Sequence, residues 1–407
     1  FLLCHVCCLI LAASAVAQPP GGLNYFSFPL SIKPKLNANF GEMRNNHFHM
    51  GLDLSTEGRE NLPILAPADG YLARIKIETG GFGRALYVNH PNGTTTVYAH
   101  MNRFIPAAEQ FLRAKQYEQQ TWKIDVNLPI DLIPLKKGQL IGYSGNTGAS
   151  QGPHVHFEIR DTKTENCLNP LLYRFPLHDV TPPDVYRLVF YDRDKSIFEQ
   201  SPVPFPLVRM GNEFKPSGLV ELPFDRAFMA IQATDRMTGI PNPNGFFSAS
   251  LFKDDGLISS FEMDNIGYDK TRYLNGHIDY PTRAKGGGYY QMLFPPKGYA
   301  VDMYKPSDAG ADHIRVSSVP EAYSIKVTDA YGNSSYVQFR VSRKAGERPT
   351  NVFPGAFMEP NTLNVYEDEN IQLVFKEDAF YDAFHFSVQS FYANSAVELS
   401  SVHQALP

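Results

Sequence analysis

The sequence predicts a mainly β protein built from antiparallel sheets, and three observations support this fold class. Aromatic residues are abundant, with 22 Tyr and 29 Phe among 407 residues, and aromatic side chains favour strands. The 30 Gly and 31 Pro provide frequent turns. Short runs of alternating apolar and polar residues recur between these turns. We therefore expect an antiparallel β domain with a short helical insertion, followed by immunoglobulin-like β-sandwich modules.

The chain begins with an apolar stretch that contains no charged residue. Residues 1–17 read FLLCHVCCLILAASAVA and end in the small-residue pattern Ala-Val-Ala. This pattern is typical of a secretory signal peptide and its cleavage site, and the stretch is shorter than the ~20 apolar residues that a membrane helix needs. We interpret it as an N-terminally incomplete signal peptide, which predicts an exported protein with no stable membrane span in its mature chain.

Proline-rich segments divide the rest of the chain. A leading segment at 18–36 precedes a first domain at 37–178. Two adjacent prolines in Asp179–Asp184 indicate a stiff connection to a β-sandwich module at 185–341. A polar segment, Ser342–Gly355, then leads to a further β module at 356–407.

One segment of the first domain predicts a helix. Residues 106–117 are rich in helix-forming types, and Pro106 stands at a plausible first-turn position. Trp122, the only tryptophan, comes shortly afterwards. We expect this insertion, within residues 102–131, to border the candidate site described below, with an inert surface elaboration as the alternative.

Charge and cysteine content narrow the classes of function. The net charge of −5 comes from 37 basic and 42 acidic residues without a basic stripe, which argues against nucleic-acid binding. Beyond residue 17, Cys167 is the only cysteine, so that part of the chain has no internal disulfide. Its stability must come from packed cores or from a bound metal.

The first of three informative segments is the alternating run Phe48–Leu54. Its apolar residues are expected on one face of a strand, whereas His49, Gly51 and Asp53 share the other face. The glycine would leave space for a metal ion to approach both neighbours. His47 lies one step further back on the same face, so it is an alternative ligand that we expect at the rim of the site.

The second segment is the strand-like run Pro153–Arg160. His154, His156 and Glu158 fall on one face, and the residues between them are apolar. Two imidazoles at neighbouring positions on the same side of a half-buried strand are unusual for packing alone. Glu158 is interpreted either as a group that orients a ligand imidazole or as a solvated carboxylate at the strand end.

The third segment, Thr96–Met101, is expected to place Tyr98 and His100 together on one face, opposite Val97, Ala99 and Met101. A single histidine is usually a surface or hydrogen-bonded core residue. Five candidates on polar strand faces within one region favour a metal site instead. They are His49, Asp53, His100, His154 and His156.

The types of these residues indicate which metal to expect. Imidazole nitrogens with one carboxylate and no thiolate suit Zn²⁺ and disfavour Ca²⁺ or Mg²⁺. A catalytic zinc ion keeps three protein ligands and an open position. With five candidates, two side chains remain free to transfer protons. The pattern alone does not separate ligands from catalysts.

The motifs His49-x-Gly51-x-Asp53, Tyr98-Ala99-His100 and His154-x-His156 resemble, in this order, those of the lysostaphin-type zinc metallopeptidases (LytM/NlpD-like, with a duplicated hybrid motif) that cut bacterial peptidoglycan. The resemblance covers about residues 37–175. It implies that His49, Asp53 and His156 bind one zinc ion per chain. It also implies that His100 and His154 are the catalytic pair, and which of the two acts as the base stays open.

The resemblance implies a zinc endopeptidase that cleaves peptide cross-links or stems of peptidoglycan. The signal-like residues 1–17 and the β modules at the end of the chain lead us to expect an exported protein in the periplasm or cell envelope of a Gram-negative bacterium. Peptidoglycan peptide is the expected partner, and the oligomeric state stays open. The alternative is a non-catalytic regulator that binds peptidoglycan and activates other cell-wall hydrolases, as relatives with altered metal sites do. All five site residues are present in this chain, which favours the enzyme.

Overall fold

The computed structural model describes residues 19–305, 311–346, 353–391 and 402–406. The interpreted signal peptide at 1–17 lies outside these residues. Within them the chain is mainly antiparallel β-structure with few helices, which confirms the predicted fold class. The immunoglobulin-like character of the second module stays a prediction. None of the described helices is both long and apolar enough to cross a membrane.

The first region, up to residue 173, consists of short strands around one large sheet. Its strands are β1 Leu36–Ala38, β2 Met43–Arg44, β3 His47–Phe48, β4 Leu52–Ser55, β5 Pro63–Leu65, β6 Gly70–Ile77, β7 Arg84–Asn89, β8 Thr94–Ala99, β9 Arg103–Phe104, β10 Ile124–Asn127, β11 Pro134–Leu135, β12 Leu140–Tyr143, β13 His154–Asp161 and β14 Cys167–Leu168. The sheet runs in the order β1-β4-β13-β8-β7-β6-β10, and β11 and β14 extend it beside β6 and β13. A small sheet, β5-β12-β9, lies beside it, and β2 and β3 form a hairpin.

The predicted helical insertion is confirmed as α1, Pro106–Gln119. Proline occupies the first turn, where its missing N–H has no intrahelical partner to lose, and Gln120 ends the helix in the left-handed region at φ 49°. Ala108 and Leu112 are buried in the first core. Glu109 accepts a hydrogen bond from the backbone N–H of Phe104 at 2.8 Å, which fixes the start of the helix to the preceding strand.

The first core lies on the face of the large sheet that carries Leu52, Leu54, Val155, Phe157 and Ile159. The leading segment contributes to it, because Phe26, Leu30 and Leu36 are buried in the same core. Burial of such side chains stabilises each by about 1.5–3 kcal/mol. The segment at 19–36 is therefore packed into the first region.

The second region, from residue 184 to 343, contains the strands β15 Asp184–Asp192, β16 Val203–Met210, β17 Glu213–Pro216, β18 Val220–Leu222, β19 Arg226–Thr234, β20 Ser248–Lys253, β21 Gly256–Glu262, β22 Asn265–Ile266, β23 Gln291–Met292, β24 Tyr304–Lys305, β25 Ile314–Arg315, β26 Glu321–Thr328 and β27 Ser334–Arg343. Two short helices, α2 Leu274–His277 and α3 Tyr280–Ala284, follow a 3₁₀ turn at Tyr268–Tyr273. The main sheet order is β23-β19-β15-β16-β17-β27-β26-β20-β21-β24. Its pairs are antiparallel except for the parallel contacts of β17 and β18 with β27.

A third region carries β28 Ala356–Met358, β29 Asn364–Glu367, β30 Gln372–Phe375, β31 Phe384–Phe391 and β32 Val402–Leu406, arranged in two small sheets. It contacts the second region through hydrogen bonds. Asp382 accepts from Ser196 at 2.9 Å, and Glu199 accepts from the backbone N–H of His385 at 2.6 Å.

The first and second regions share a core. Phe40, Phe48 and Met50 belong to the sequence of the first region, yet they are buried in the core of the second. Strand β14 also pairs with β22 across the two regions. The domain boundaries predicted from proline-rich segments stay predictions, and the packing continues across the first of them.

Candidate metal centre and active site

The centre of the site is formed by two adjacent strands, β4 and β13. Their antiparallel register places His156 directly opposite Asp53, so both side chains emerge on the same face of the sheet. His49 reaches the same point from the segment between β3 and β4. Its backbone N–H donates to the carbonyl of Glu42 at 2.8 Å, which holds this segment next to the β2–β3 hairpin.

The expected single strand over 48–54 is wrong in part. The chain is paired as β3 up to Phe48 and as β4 from Leu52, and residues 49–51 lie in neither strand. Because alternation is interrupted, Phe48 and Met50 enter the second core, whereas Leu52 enters the first.

Gly51 is needed for the packing of two neighbouring strands, and the space that it was expected to leave for a metal ion stays a prediction. A Cβ at this position would lie 2.4 Å from the backbone oxygen of Phe157 and 2.9 Å from Cγ of Glu158. The glycine thus permits the close approach of β13, which positions His156.

Three buried side chains form a compact triangle. Oδ1 of Asp53 lies 3.0 Å from Nε2 of His49 and 3.0 Å from Nδ1 of His156, and the two nitrogens are 3.0 Å apart. The three residues are between 3% and 7% exposed. Two imidazoles and one carboxylate that converge in this way form a candidate site for a divalent metal ion.

The outer atoms of the triangle are held by further hydrogen bonds. Nδ1 of His49 donates to the backbone carbonyl of Asn39 at 2.7 Å, which directs the Nε2 lone pair towards the triangle. Nε2 of His156 lies 2.9 Å from Oε1 of Glu158, so a proton at Nε2 leaves Nδ1 as the inward atom when the ring is neutral. Oδ2 of Asp53 accepts from the Arg44 guanidinium at 2.6 Å. Such partners fix the tautomer and orientation of metal-binding side chains.

Glu158 is the buried anion of this arrangement. It is fully buried, and it accepts hydrogen bonds from His156, from Nε of Arg160 at 2.7 Å and from the hydroxyl of Tyr268. Burial opposes its ionisation, but the Arg160 charge and the hydrogen bonds outweigh burial and lower the pKa of Glu158 to about 2. Of the two interpretations of Glu158, the structure shows the buried carboxylate that orients an imidazole.

Burial and neighbouring polar groups also have opposite effects on the pKa values of Asp53 and His156. Burial opposes the charge on Asp53, but the neighbouring His49 and His156 hold the pKa of its carboxyl well below the usual range. Burial also opposes protonation of His156, but its bonds to Asp53 and Glu158 raise its pKa to about 9. Burial lowers the pKa of His49. The triangle therefore offers an ionised carboxylate oxygen as one donor.

The donor set fits a tetrahedral zinc ion. Zinc bonds to nitrogen and carboxylate oxygen of about 2.0–2.1 Å place tetrahedral ligand atoms ~3.3 Å apart. The observed separations of 3.0 Å in the triangle are close to this value. All three donors come from side chains whose remaining atoms are already hydrogen-bonded.

His100 and His154 lie beside the triangle. Their ring centroids are 4.7 Å apart, and Nε2 of His154 is 3.5 Å from Oδ1 of Asp53. Nδ1 of His100 donates to the backbone carbonyl of Thr147 and Nδ1 of His154 to that of Gly152, each at 2.8 Å. In both rings this bond places the proton on Nδ1 and leaves the Nε2 lone pair for chemistry. Burial, followed by the neighbouring His154, lowers the pKa of His100 to about 4, so His100 is neutral at pH 7.

The expected placement of Tyr98 with His100 is wrong. Strand β8 pairs with β13 so that Tyr98 lies opposite Phe157, on the face of the first core, and its hydroxyl bonds to Thr96. His100 reaches the site because it follows the end of β8 and adopts a left-handed conformation with φ 60°. This conformation breaks the alternation on which the expectation was based.

Other residues singled out from the sequence lie away from the triangle. His47 is exposed, and its Nδ1 bonds to the backbone carbonyl of Asn45 at 2.8 Å. Trp122 is 62% exposed, and its backbone carbonyl accepts a hydrogen bond from the side chain of Gln116 on α1. Its role at the cleft stays a prediction.

Sequence reasoning missed four residues that support the site. They are Asn39, Arg44, Phe82, whose ring stacks on His156 with centroids 5.5 Å apart, and Tyr268. A basic residue five positions before His49 is a weak signal for Arg44. Tyr268 lies 110 positions from Glu158, so no local pattern could have revealed it.

Comparisons with known proteins agree with this geometry. Residues 47–117 and 134–170 match the model of peptidase family M23. An uncharacterized metalloprotease of Haemophilus influenzae is 28% identical over 161 residues, which is 38% of this chain and 28% of the relative. DD-carboxypeptidase/endopeptidase Mpg of Neisseria meningitidis is 28% identical over 174 residues, which is 42% of this chain and 33% of the relative. The chain thus spans about a third of these curated relatives.

Solved structures are also similar to part of the chain. The catalytic domain of the M23 protein EnpA from Enterococcus faecalis is 22% identical and covers 37% of this chain and 98% of its own, with a TM-score of 0.26. The catalytic domain of lysostaphin from Staphylococcus simulans is 21% identical and covers 34% and 90%, with a TM-score of 0.24. The chain contains a domain of peptidase family M23, the lysostaphin-type metallopeptidases.

Proposed function

We propose that this protein is an exported, zinc-dependent endopeptidase that hydrolyses peptide bonds in the cross-links or stems of peptidoglycan. The observation that carries the proposal is the triangle of His49, Asp53 and His156 with two further histidines, His100 and His154, at its side. An M23 domain supports peptidase activity.

The arrangement supports separate roles for these residues, with three binding the metal ion and two transferring protons. Zinc bound by His49, Asp53 and His156 would supply a Lewis acid for a water molecule and for the scissile carbonyl. His100 and His154 each keep Nδ1 on a backbone carbonyl, so each offers Nε2 to accept or donate a proton. One of them would take the proton of the attacking water, and the other would stabilise the oxyanion or protonate the leaving amine.

The substrate class and the location are supported by different observations. The name of the Neisseria relative, DD-carboxypeptidase/endopeptidase, supports peptide bonds of peptidoglycan as the substrate. The apolar pattern of residues 1–17 supports export. Relatives in Haemophilus, Neisseria and Caulobacter support a Gram-negative cell envelope.

The decisive experiment combines zinc content with activity. Purified protein should contain about one zinc per chain by atomic absorption, and it should release muropeptides from purified cell walls, which mass spectrometry identifies. His156→Ala should lose both zinc and activity, because it removes one of three protein ligands. His154→Ala should keep zinc and lose roughly 10²–10⁴-fold in turnover.

His47→Ala is the matched control, since it removes an exposed histidine of the same segment and should change neither quantity. Wild-type protein that binds cell walls but holds no zinc and releases no peptide would contradict the proposal and favour the regulator. A His154→Ala protein without zinc, together with a His156→Ala protein that keeps it, would reverse the assigned roles.

A further inference from the structure

A second cluster of carboxylates lies where the first and second regions meet. Asp179 precedes β15, Asp235 follows β19, and Asp329 opens the turn between β26 and β27. One oxygen from each of the three carboxylates lies within 4.8 Å of the others. None of these residues takes part in the M23 motifs, which end before them.

The cluster contains one buried oxygen that has no partner among the residues that the structure describes, and a second such oxygen belongs to Asn244, whose backbone pairs with that of Asp235. Asp235 and Asp329 are 4% and 2% exposed. Among the described residues, Oδ1 of Asp235 has no hydrogen-bond partner. Oδ1 of Asn244, which is 3% exposed, has none either, and the backbones of Asn244 and Asp235 pair at 2.8 and 2.9 Å. An unsatisfied buried polar group destabilises a fold, and it does so more strongly when it is charged.

The charges of the cluster are not balanced by the protein. In the described part of the chain, none of Asp179, Asp235 and Asp329 forms an ion pair with Lys or Arg. Burial, followed by the charges of Asp329 and Asp179, raises the pKa of Asp235 to about 8. Burial also raises the pKa of Asp329. Carboxylates packed together in this way are stable only if one is protonated or a cation lies between them.

The orientation of the other two carboxylates is fixed in advance. Oδ1 of Asp329 accepts from the backbone N–H groups of Tyr331 and Asn333 at 2.9 and 2.8 Å. Oδ1 of Asp179 accepts from the backbone N–H of Thr181 at 3.0 Å. Oδ2 of Asp329 accepts from Nδ2 of Asn333 at 2.7 Å, and Oδ1 of Asp179 also accepts from the N–H and the hydroxyl of Thr238 at 3.2 and 3.1 Å. These bonds preorganise the site, and because an ionised carboxylate offers about four acceptor positions, they leave room for a ligand.

We propose that Asp179, Asp235 and Asp329 bind one calcium ion at the junction of the first and second regions. An all-oxygen donor set suits a hard cation, and Ca²⁺ tolerates the irregular geometry of carboxylates drawn from three separate segments better than Mg²⁺ does. The ion would compensate the buried negative charge and give the unpartnered oxygen of Asp235 a ligand.

The proposed ion lies next to contacts between the first and second regions. Tyr331, two residues after Asp329, donates to the carbonyl of Phe175 at 3.4 Å, and Arg174 donates to the carbonyl of Tyr331 at 3.2 Å. Met237, two residues after Asp235, is buried in the first core. Calcium would therefore hold together the segments through which the second region contacts the peptidase region.

The test uses the full chain, saturated with zinc and titrated with CaCl₂ in a calorimeter. We expect one calcium ion per chain with a Kd on the order of 10⁻⁴–10⁻³ M, as in extracellular calcium modules, and a rise in Tm on addition of calcium. MgCl₂ at the same concentration should raise Tm less. Asp235→Asn and Asp329→Asn should each weaken calcium binding at least tenfold, whereas Asp255→Asn, a control in the exposed β20–β21 turn, should match wild type.

Comparison of the calcium-free proteins separates loss of calcium binding from loss of folding. Asp235→Asn removes one of three repelling carboxylates, so without calcium it should unfold at a Tm no lower than that of wild type, and calcium should no longer raise that value. Absence of saturable calcium binding to wild type would overturn the proposal. So would an equal response to calcium in wild type, Asp329→Asn and Asp255→Asn, since the ion would then bind elsewhere.

Discussion

Replacement of Glu158 by Gln tests how the metal centre is oriented. The carboxylate accepts from Nε2 of His156 at 2.9 Å through one oxygen and from Arg160 at 2.7 Å through the other. A glutamine of the same shape has one acceptor oxygen. If that oxygen faces Arg160, the amide NH₂ group faces a protonated Nε2 of His156. Relief of this clash moves the proton to Nδ1, the atom that must bind zinc.

The structure sets the size of two effects. Loss of a partner that orients a ligand imidazole typically weakens metal affinity 10–100-fold, or about 1.4–2.7 kcal/mol. Arg160 is 6% exposed, and its other carboxylate partner among the described residues is Glu165, at a longer 3.6 Å. Removal of one partner from a buried ion pair costs about 3–5 kcal/mol. The zinc-free variant should therefore lose stability of that order.

Zinc affinity would be measured by competition with a chromophoric chelator, and stability by urea unfolding of the zinc-free protein. Glu165→Gln is the matched control, because it pairs with the same arginine while its side chain is 63% exposed. It should change stability by no more than ~1 kcal/mol and leave zinc affinity unchanged. If Glu158→Gln also binds zinc within twofold of wild type and unfolds at the same urea concentration, the carboxylate does not orient His156.

Three further predictions concern the surroundings of the site. Tyr268→Phe removes one hydrogen bond to Glu158, so chelator competition should show zinc affinity up to about tenfold weaker, and unchanged affinity would contradict a positioning role. Arg44→Ala frees Oδ2 of Asp53 and should also weaken zinc binding in the same assay, with partial recovery in Arg44→Lys. Burial lowers the pKa of His277 from 6.5 to about 4. Between pH 6.5 and pH 4, His277 is therefore protonated in the unfolded chain but neutral in the folded protein. The free energy of unfolding should fall by up to about 3 kcal/mol as the pH falls through this range. Urea unfolding across this pH range should show a shallower fall for His277→Gln, and an equal fall would contradict this origin.

The predicted placement of the site residues succeeds where the backbone is regular. His154, His156 and Glu158 lie on one continuous strand, β13, so alternation places them on one face as expected. Alternation does not govern His49 and His100, which lie just outside paired strands, although His49 meets Asp53 as expected. The motif order still identified both residues, because a resemblance to a family does not depend on local regularity.

Contacts between segments that are distant along the chain could not be predicted from the sequence. Arg44 reaches Asp53 through a hairpin whose pairing no alternation indicates, since β2 and β3 have two residues each. The cluster of Asp179, Asp235 and Asp329 comes from three separate segments that only the tertiary fold brings together. Each of these aspartates alone reads as an ordinary turn residue.

The second region is part of the support of the metal centre. Its 3₁₀ turn at Tyr268–Tyr273 contacts the first region at two points. Oγ1 of Thr271 lies 3.0 Å from the backbone nitrogen and 3.2 Å from the backbone oxygen of Phe48, the residue before His49, and Tyr268 bonds to the carboxylate that orients His156. Two of the three triangle residues are thus positioned by contacts from outside the first region. Because Phe48 is itself buried in the second core, a displacement of that core moves His49 directly. The β-rich second region therefore acts on the geometry of the site as well as on its surroundings.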